Sequence, residues 1–422
     1  MARTLTPMDA YALMTQIARQ ATGQSSMAVV DASSFISAGE TVLSTGYENV
    51  YNAINIVFGR LIVAVRPYKG KLITVQAADS GVYSNRYRKV SFYSKDPVPS
   101  GWFNTDQNTN LAEGYTASDN GGASTKSQWE QHQAMPLEMN FGGTSTWQHC
   151  VTMYENQVKM AFSSPDEFNR FVAGYLEEHA NDIEQVKEAF NRMTLVSKMA
   201  AIYDYATNES VVTEAAVNLA AAFNAYYNIT PAYTCTQLLS TYLKEFLEFT
   251  TATIKEYSDR LTDRSSRFHN PMTKTVGGVN YSILRHTPKS EQRLVLYGPL
   301  FRKAEALVMP EIFGPEYLDL GQNYESVNFW QFNDGTNDMA IDFQTSLYDG
   351  GTGQQKQGAA IQLDYVVGIL FDRDSILTDF QLETANTTPV EARKGYRNTW
   401  LTFAKNAIND PTENAILFYM AD

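Results

Sequence analysis

Ser164-Pro165-Asp166-Glu167 opens the stretch that most constrains how this chain can fold. A hydroxyl stands at the N-cap position, proline at the first helical position, and an acid three residues beyond the cap. No further proline occurs until Pro231. Phe168, Phe171, Val172, Tyr175, Ile183, Val186, Phe190, Met193 and Ile202 recur at three- and four-residue spacing, the period of one helical face. This spacing predicts one continuous helix over 165–203, roughly 58 Å long at 1.5 Å per residue. Helices of ordinary globular domains are several times shorter.

A second constraint is a basic segment in an acidic chain. Between residues 60 and 95, Arg60, Arg66, Lys69, Lys71, Arg86, Arg88, Lys89 and Lys95 face a single acid, Asp79. Eight cations against one acid give +7, and with the whole chain at −13 the remainder carries −20. The segment reads as β-structure. Leu61, Val63 and Val65 alternate with Ile62, Ala64 and Arg66, Lys71 to Ala78 resumes after Pro67-Tyr68-Lys69-Gly70, and Asp79-Ser80-Gly81 turns the chain into Val82 to Tyr93. Arms of about a dozen residues reach roughly 40 Å, and a two-stranded ribbon of that length is not stable alone in water. It has to lie on another surface. The acidic surface of another copy is the natural mate for Arg66, Lys69, Lys71, Arg86, Arg88 and Lys89. A solvated face and a nucleic-acid contact, with Tyr83, Tyr87 and Tyr93 interleaved, are the competing readings.

The remaining pattern is mixed. Thr6-Pro7-Met8-Asp9 starts a helix with Met8, Tyr11, Met14 and Ala18 on one face. Gly23 to Gly46 shows no strong period, so residues 1 to about 50 read as an arm over the surface. Residues 96–146, rich in Gly, Asn, Ser and Thr, read as a loop-dominated link. Helices are expected over Thr213–Tyr227 and Thr236–Tyr257, with a short helical piece at Leu300–Val308. Strands are expected at Val279–Leu284, Arg293–Leu296, Val327–Phe332, Ile361–Phe371 and Ala415–Met420.

Apolar content of 44% and charged content of 19% suit a large folded core. The negative balance argues against coating nucleic acid by phosphate neutralisation. No run approaches the roughly 20 apolar residues of a membrane span, and Met1 to Gln20 lacks a signal-peptide core, so folding in the cytosol is expected. Cys150 and Cys235 offer neither a disulfide framework nor a zinc site. His132, His149, His179, His269 and His286 lack metal-ligand spacing, and His179 with Asp182 reads as a surface ion pair. Asp372 and Asp374 flank Arg373 after an apolar strand, yet no phosphate loop or partner base accompanies them. Gly277-Gly278 reads as a hairpin turn, and Gly350-Gly351-Thr352-Gly353 as a surface loop. The residues mark no catalytic, cofactor or metal site.

An arm, a long basic hairpin, a long helix and a mixed α/β region form an order that resembles the tailed-phage major capsid proteins. Particular stretches resemble those of small short-tailed phages with protein-primed replication and of related gut phages. They are Arg66-Pro67-Tyr68-Lys69-Gly70-Lys71, Ala161 to Phe168, Arg285-His286-Thr287-Pro288, Gly368 to Asp374, Gly395 to Trp400, and Asn409-Asp410-Pro411-Thr412-Glu413-Asn414-Ala415. The resemblance implies an α+β major capsid fold. Its parts would be an N-terminal arm (1–55), an E-loop hairpin (56–100), a P-domain (101–210) with spine helix 165–203, an A-domain (211–400), and a return to the P-domain (401–422). It implies self-assembly into hexamers and pentamers of a phage head, in the host cytoplasm and then the virion. Partners would be scaffolding protein, portal protein, and packaged double-stranded DNA without sequence specificity, with no membrane and no cofactor. The alternatives are an encapsulin-like nanocompartment shell and a cytosolic hydrolase using Asp372 or Asp374.

Overall fold

The computed structural model of the chain describes residues 7–46, 48–54, 72, 86–94, 135–142, 145–276, 279–302, 324–331, 337–348 and 355–422. Helices α1 (Pro7–Thr22), α2 (Ala32–Ser44) and α3 (48–54) come first. Strands β1 (Arg86–Phe92), β2 (Pro136–Gly142) and β3 (Ser145–Tyr154) lead to α4 (Glu155–Ala161) and the 43-residue α5 (Pro165–Thr207). Next come β4 (Ala216–Asn218), α6 (Leu219–Tyr226), α7 (Cys235–Ser240), α8 (Leu243–Arg260), β5 (Lys274–Val276) and β6 (Val279–Tyr281). Strands dominate the rest: β7 (Gln292–Tyr297), β8 (Tyr324–Val327), β9 (Ile341–Tyr348) and β10 (Gln355–Leu363), then β11 (Tyr365–Asp372), β12 (Ile376–Thr387), β13 (Tyr396–Asn409) and β14 (Ala415–Met420). The described residues fall into two compact units, one drawn from 1–86, 142–194 and 377–407, the other from 87–141, 195–376 and 408–422.

The long helix forms as its caps and spacing predict. The Ser164 hydroxyl accepts the Glu167 N–H at 3.2 Å, and α5 continues without interruption to Thr207, four residues beyond the expected end. At 1.5 Å per residue its length is about 64 Å. It stops where Ser210 takes φ +53, outside the helical region.

In the first unit, α1 buries Met14 and Ala18 but leaves Met8 79% exposed, so its apolar face starts at Ala10 and not at Met8. Helix α2 corrects the reading of Gly23–Gly46 as aperiodic. Asp31 accepts the Ser34 N–H at 2.7 Å as an N-cap, and Phe35, Ala38, Gly39 and Val42 are buried at helical spacing. Phe35 meets Phe168 of α5 edge-on, ring centroids 5.5 Å apart. Strands β12, β13 and β3 form one sheet in that order, and none of them is among the strands expected. Arg397 and Lys405 interrupt the apolar alternation of β13, and His149 that of β3. Tertiary partners offset this: Arg397 reaches Thr387 Oγ1 at 2.6 Å, and Lys405 lies over the Phe190 ring. Trp147, Phe380 and Phe403 cluster on the inner side of this sheet.

Helix α5 also holds one residue of the basic segment. Leu72 donates its N–H to Glu188 Oε2 and accepts from Asn191 Nδ2, both at 3.3 Å. Glu188 is itself paired with Arg192 at 2.7 Å one turn on, both nearly fully buried.

The second unit centres on a five-stranded sheet ordered β4-β14-β11-β7-β8. The central strand β11 is continuously apolar because both its faces are covered. Phe223, Phe246, Ile254 and Phe268 pack with Leu294 and Phe418 of this sheet. Several expectations are corrected here. The helix expected from Thr213 begins at Leu219, because Ala216–Asn218 pair in parallel with Leu417–Tyr419 and Asn218 caps the helix. The helix expected over 236–257 is two helices, α7 and α8. The strand expected over 361–371 divides into β10 and β11. Strand β8 ends at Val327, and Trp330 is instead buried with its Nε1–H on Val366 O at 3.0 Å. Within the link expected to be loop, 136–142 forms a strand paired with β1. Val276 and Val279 pair across Gly277-Gly278, as the hairpin reading requires. Gly350 to Gly353 and residues 303–308 lie outside the described residues.

Candidate functional site

The densest group of buried charge lies in the second unit, where β1 meets the turn between β13 and β14. On β1, Val90 and Phe92 are exposed, whereas Ser91 is buried and Lys89 is half-buried. This alternation sends Lys89 inward. Its Nζ lies 2.5 Å from Asp410 Oδ2 and 2.6 Å from Glu413 Oε1.

The turn presents these acids for a local reason. Asp410 Oδ1 accepts both the N–H and the hydroxyl of Thr412, each at 2.8 Å. This is the side-chain-to-backbone closure that Asp makes two residues ahead, around a proline whose φ is already set. With Oδ1 so engaged, Oδ2 is left for the ammonium. The Asp410 N–H is tied to Ser375 O at 2.9 Å.

Two further cations converge. Lys198 on α5 donates to Asp410 O at 2.5 Å. Arg285 contacts Glu413 Oε1 at 3.2 Å, Ser91 Oγ at 2.7 Å and Thr412 O at 3.3 Å. Burial tunes each group differently. It pulls Lys198 down to about 8 against the pull of Asp410 and Glu413. Burial alone would lower Lys89 as well, but its two carboxylates outweigh that and leave it raised. For Asp410, burial is outweighed by Lys89 and the Thr412 bonds, and its pKa is lowered. Glu413 lacks such a backbone anchor, and burial prevails over Lys89 and Arg285 to raise it.

Further polar groups complete the cluster. Asp372 accepts the Thr287 hydroxyl at 2.7 Å on Oδ2 and the Asp374 N–H at 2.9 Å on Oδ1. Both its oxygens are engaged in holding a turn, which is a structural role and not that of a catalytic base. His269 is buried, which lowers its pKa and favours the neutral ring. Its Nε2 lies 2.8 Å from Ile283 O and its Nδ1 2.8 Å from Asn414 Oδ1. A cavity of about 20 Å³ beside Lys198, Tyr205, His269 and Glu413 has room for a water, not a substrate. Among the described residues no group of His, Cys, Asp and Glu could hold a metal ion, and no helix is long and apolar enough to cross a membrane.

Of the ribbon residues expected to meet a neighbour, Arg66, Lys69 and Lys71 lie outside the described residues. Arg86 and Arg88 fall within β1. For Lys89 the expectation is corrected, because its ammonium finds its acids in its own chain. In the first unit, the Asp182 carboxylate sits 3.7 Å from His149 Nε2, and the side chain of His179, expected to pair with it, lies outside those described. Composition hides the cluster's acids among the chain's 46. The available signal is local: Asp-Pro-Thr after a strand is turn chemistry that fixes one carboxylate oxygen and leaves the other free.

Residues 146–419 match the profile of a family described as Phi29-like phage major capsid protein. No curated protein matches the chain. The fold is similar to that in the capsid structure of Staphylococcus phage Andhra, with a TM-score of 0.50 at 11% identity over 84% of this chain and 85% of that one. A structure of the head fiber and inner core protein of bacteriophage P68 gives 0.46 at 11% identity, over 83% and 84%. The Cyanophage Pam1 capsid gives 0.40 at 10% identity, over 85% and 89%.

Proposed function

Since the chain belongs to the Phi29-like phage major capsid protein family, we propose that it builds its head around a scaffolding protein, joins a portal protein at one vertex, and encloses double-stranded DNA. The observation that carries this reading is the family match across 146–419. A major capsid protein is a structural subunit of the virion capsid. It does its work through assembly into an icosahedral shell, and many weak contacts repeated over the lattice make that shell stable. Assembly would take place in the host cytoplasm. The wall would hold DNA without sequence preference, and a net charge of −13 suits a container that must release it.

The basic ribbon, as an E-loop spanning about 56–100, would lie across an adjacent subunit of a hexamer or pentamer. Arg66, Lys69, Lys71, Arg86 and Arg88 would meet acids of that neighbour. Arg86 and Arg88 lie on β1, whose Val90 and Phe92 are exposed. Lys89 would fix the ribbon's root to its own subunit. The other parts would be an N-terminal arm over 1–55, a P-domain over 101–210, an A-domain over 211–400 and a return strand over 401–422.

The test is assembly with scaffold, viewed by negative-stain microscopy, of wild type and of R86E/R88E. Closed shells are expected for wild type, with the variant's yield falling at least fivefold and wild-type yield declining with salt. Unchanged yield and salt response in the variant would remove the ribbon's electrostatic role.

A further inference from the structure

We propose that the outer face of the β3–β13 pair is a contact surface for a second copy of this chain. Strand β3 pairs antiparallel with β13, Tyr154 opposite Tyr396, Thr152 opposite Asn398 and Trp400 opposite Cys150. Odd-numbered Val151, Met153 and Phe403 are buried on the inner face. Even-numbered residues face outward, with Tyr154 47% and Trp400 40% exposed.

None of the even-numbered residues from Thr146 to Tyr154 on β3, or from Tyr396 to Ala404 on β13, is charged. A solvated sheet face in a chain with 19% charged residues would carry Lys and Glu. Instead the side chains are aromatic, hydroxyl and amide, and they hold one another in place. The Thr152 hydroxyl donates to Asn398 Oδ1 at 2.7 Å, Gln148 Nε2 to Thr402 Oγ1 at 3.4 Å, and the Tyr154 and Tyr396 rings lie 5.9 Å apart. Aromatic enrichment, missing charge and pre-ordered polar groups are the composition of an interface centre.

The occupant follows from charge and from the family. A face without cations does not hold DNA. The outward positions of β3 and β13 carry no acid for the ribbon's cations, so the contact made by these two strands is separate from the ribbon's. A subunit of a closed shell is surrounded by copies of itself, and an uncharged patch of a second copy is the matching partner. The inference rests on family membership and not on the reading of the ribbon.

Thiol labelling tests it. In C150S/T152C the reporter sits on the exposed face, while Cys235 is buried with its thiol pushed up to about 12 and stays silent. Free subunits should react readily with a maleimide, and empty shells stripped of every other protein at least tenfold more slowly. Equal rates in subunits and stripped shells would overturn the proposal. So would protection confined to native heads, which would assign the face to another protein or to DNA. Independently, Trp400→Lys should abolish shell formation with the subunit's circular dichroism unchanged, and Trp400→Phe should retain assembly. Normal shell yield from Trp400→Lys would also overturn it.

Discussion

Lys89 Nζ and Asp410 Oδ2 are 2.5 Å apart, joining a strand of the basic ribbon to the turn before the last strand. The acid is fully buried, and the ammonium keeps about a quarter of its side-chain exposure. Since Thr412 satisfies the other oxygen of Asp410, Lys89 supplies the positive charge that this buried carboxylate requires. The pair therefore turns a sequence position that looks like any other ribbon cation into a tie between distant parts of the chain.

Lys89→Met should destabilise the folded subunit by about 3 kcal/mol, the low end for breaking a buried ion pair because the lysine is partly exposed. Adding Asp410→Asn should recover part of the loss, since the orphaned charge is then gone. Urea unfolding of the two single variants and the double variant measures the coupling. A loss below about 0.5 kcal/mol for Lys89→Met would mean the tie does not hold the strand.

Lys198 sets a pH dependence of defined sign. Its pKa is near 8 in the folded chain against 10.5 when free, so the unfolded chain binds the proton more tightly. Stability from this group rises as pH climbs through about 8 toward 10.5. Between pH 7.5 and 9.5 the gain should be about 2 kcal/mol. Lys89, raised above 10.5, loses its contribution only at higher pH. Lys198→Met should flatten the rise, as read from urea midpoints at the two pH values.

Gly368 marks a close approach of backbones. Strand β11 shifts register between Val366 and Gly368, and a Cβ at 368 would stand 2.7 Å from Val295 O and press on Leu296. The first of these neighbours is backbone of β7, which cannot swing aside. Gly368→Ala should cost about 1–3 kcal/mol and lower the melting temperature. An unchanged melting temperature would show that β7 can yield.

Legibility in the sequence followed the range of the interaction. Helix α5 announced itself through Ser164, Pro165 and a sustained apolar period, and β14 through an unbroken apolar run, because both signals are local. Strands β3 and β13 did not, because Arg397 and Lys405 break the alternation and are accommodated only by Thr387 and Phe190. Helix α2 was hidden by Gly39, whose lack of a side chain lets Phe162 approach, with a Cβ there lying 3.2 Å from it. The charge cluster was least legible. Positions 89, 198, 285, 410 and 413 come together only in the fold, and nothing beside Lys89 separates it from its seven basic companions except buried Ser91 at the same alternation.

Asn191 offers a measurable test of how α5 holds the rest of its unit. Its amide donates to Leu72 O at 3.3 Å, and its carbonyl accepts the Thr378 hydroxyl of β12 at 2.6 Å. One side chain thus satisfies a backbone carbonyl of the basic segment and a buried hydroxyl of the sheet. Asn191→Ala would remove a partner from each, and each lost buried hydrogen bond costs about 1 kcal/mol. Asn191→Asp keeps the acceptor for Thr378 but replaces the donor to Leu72 with a charge, so it should lose at least as much. Asn191→Ala should therefore unfold at clearly lower urea, and amide hydrogen exchange at Leu72 should accelerate because the Glu188 contact loses its neighbour. Equal exchange at Leu72 in wild type and Asn191→Ala would show that Glu188 alone secures that position.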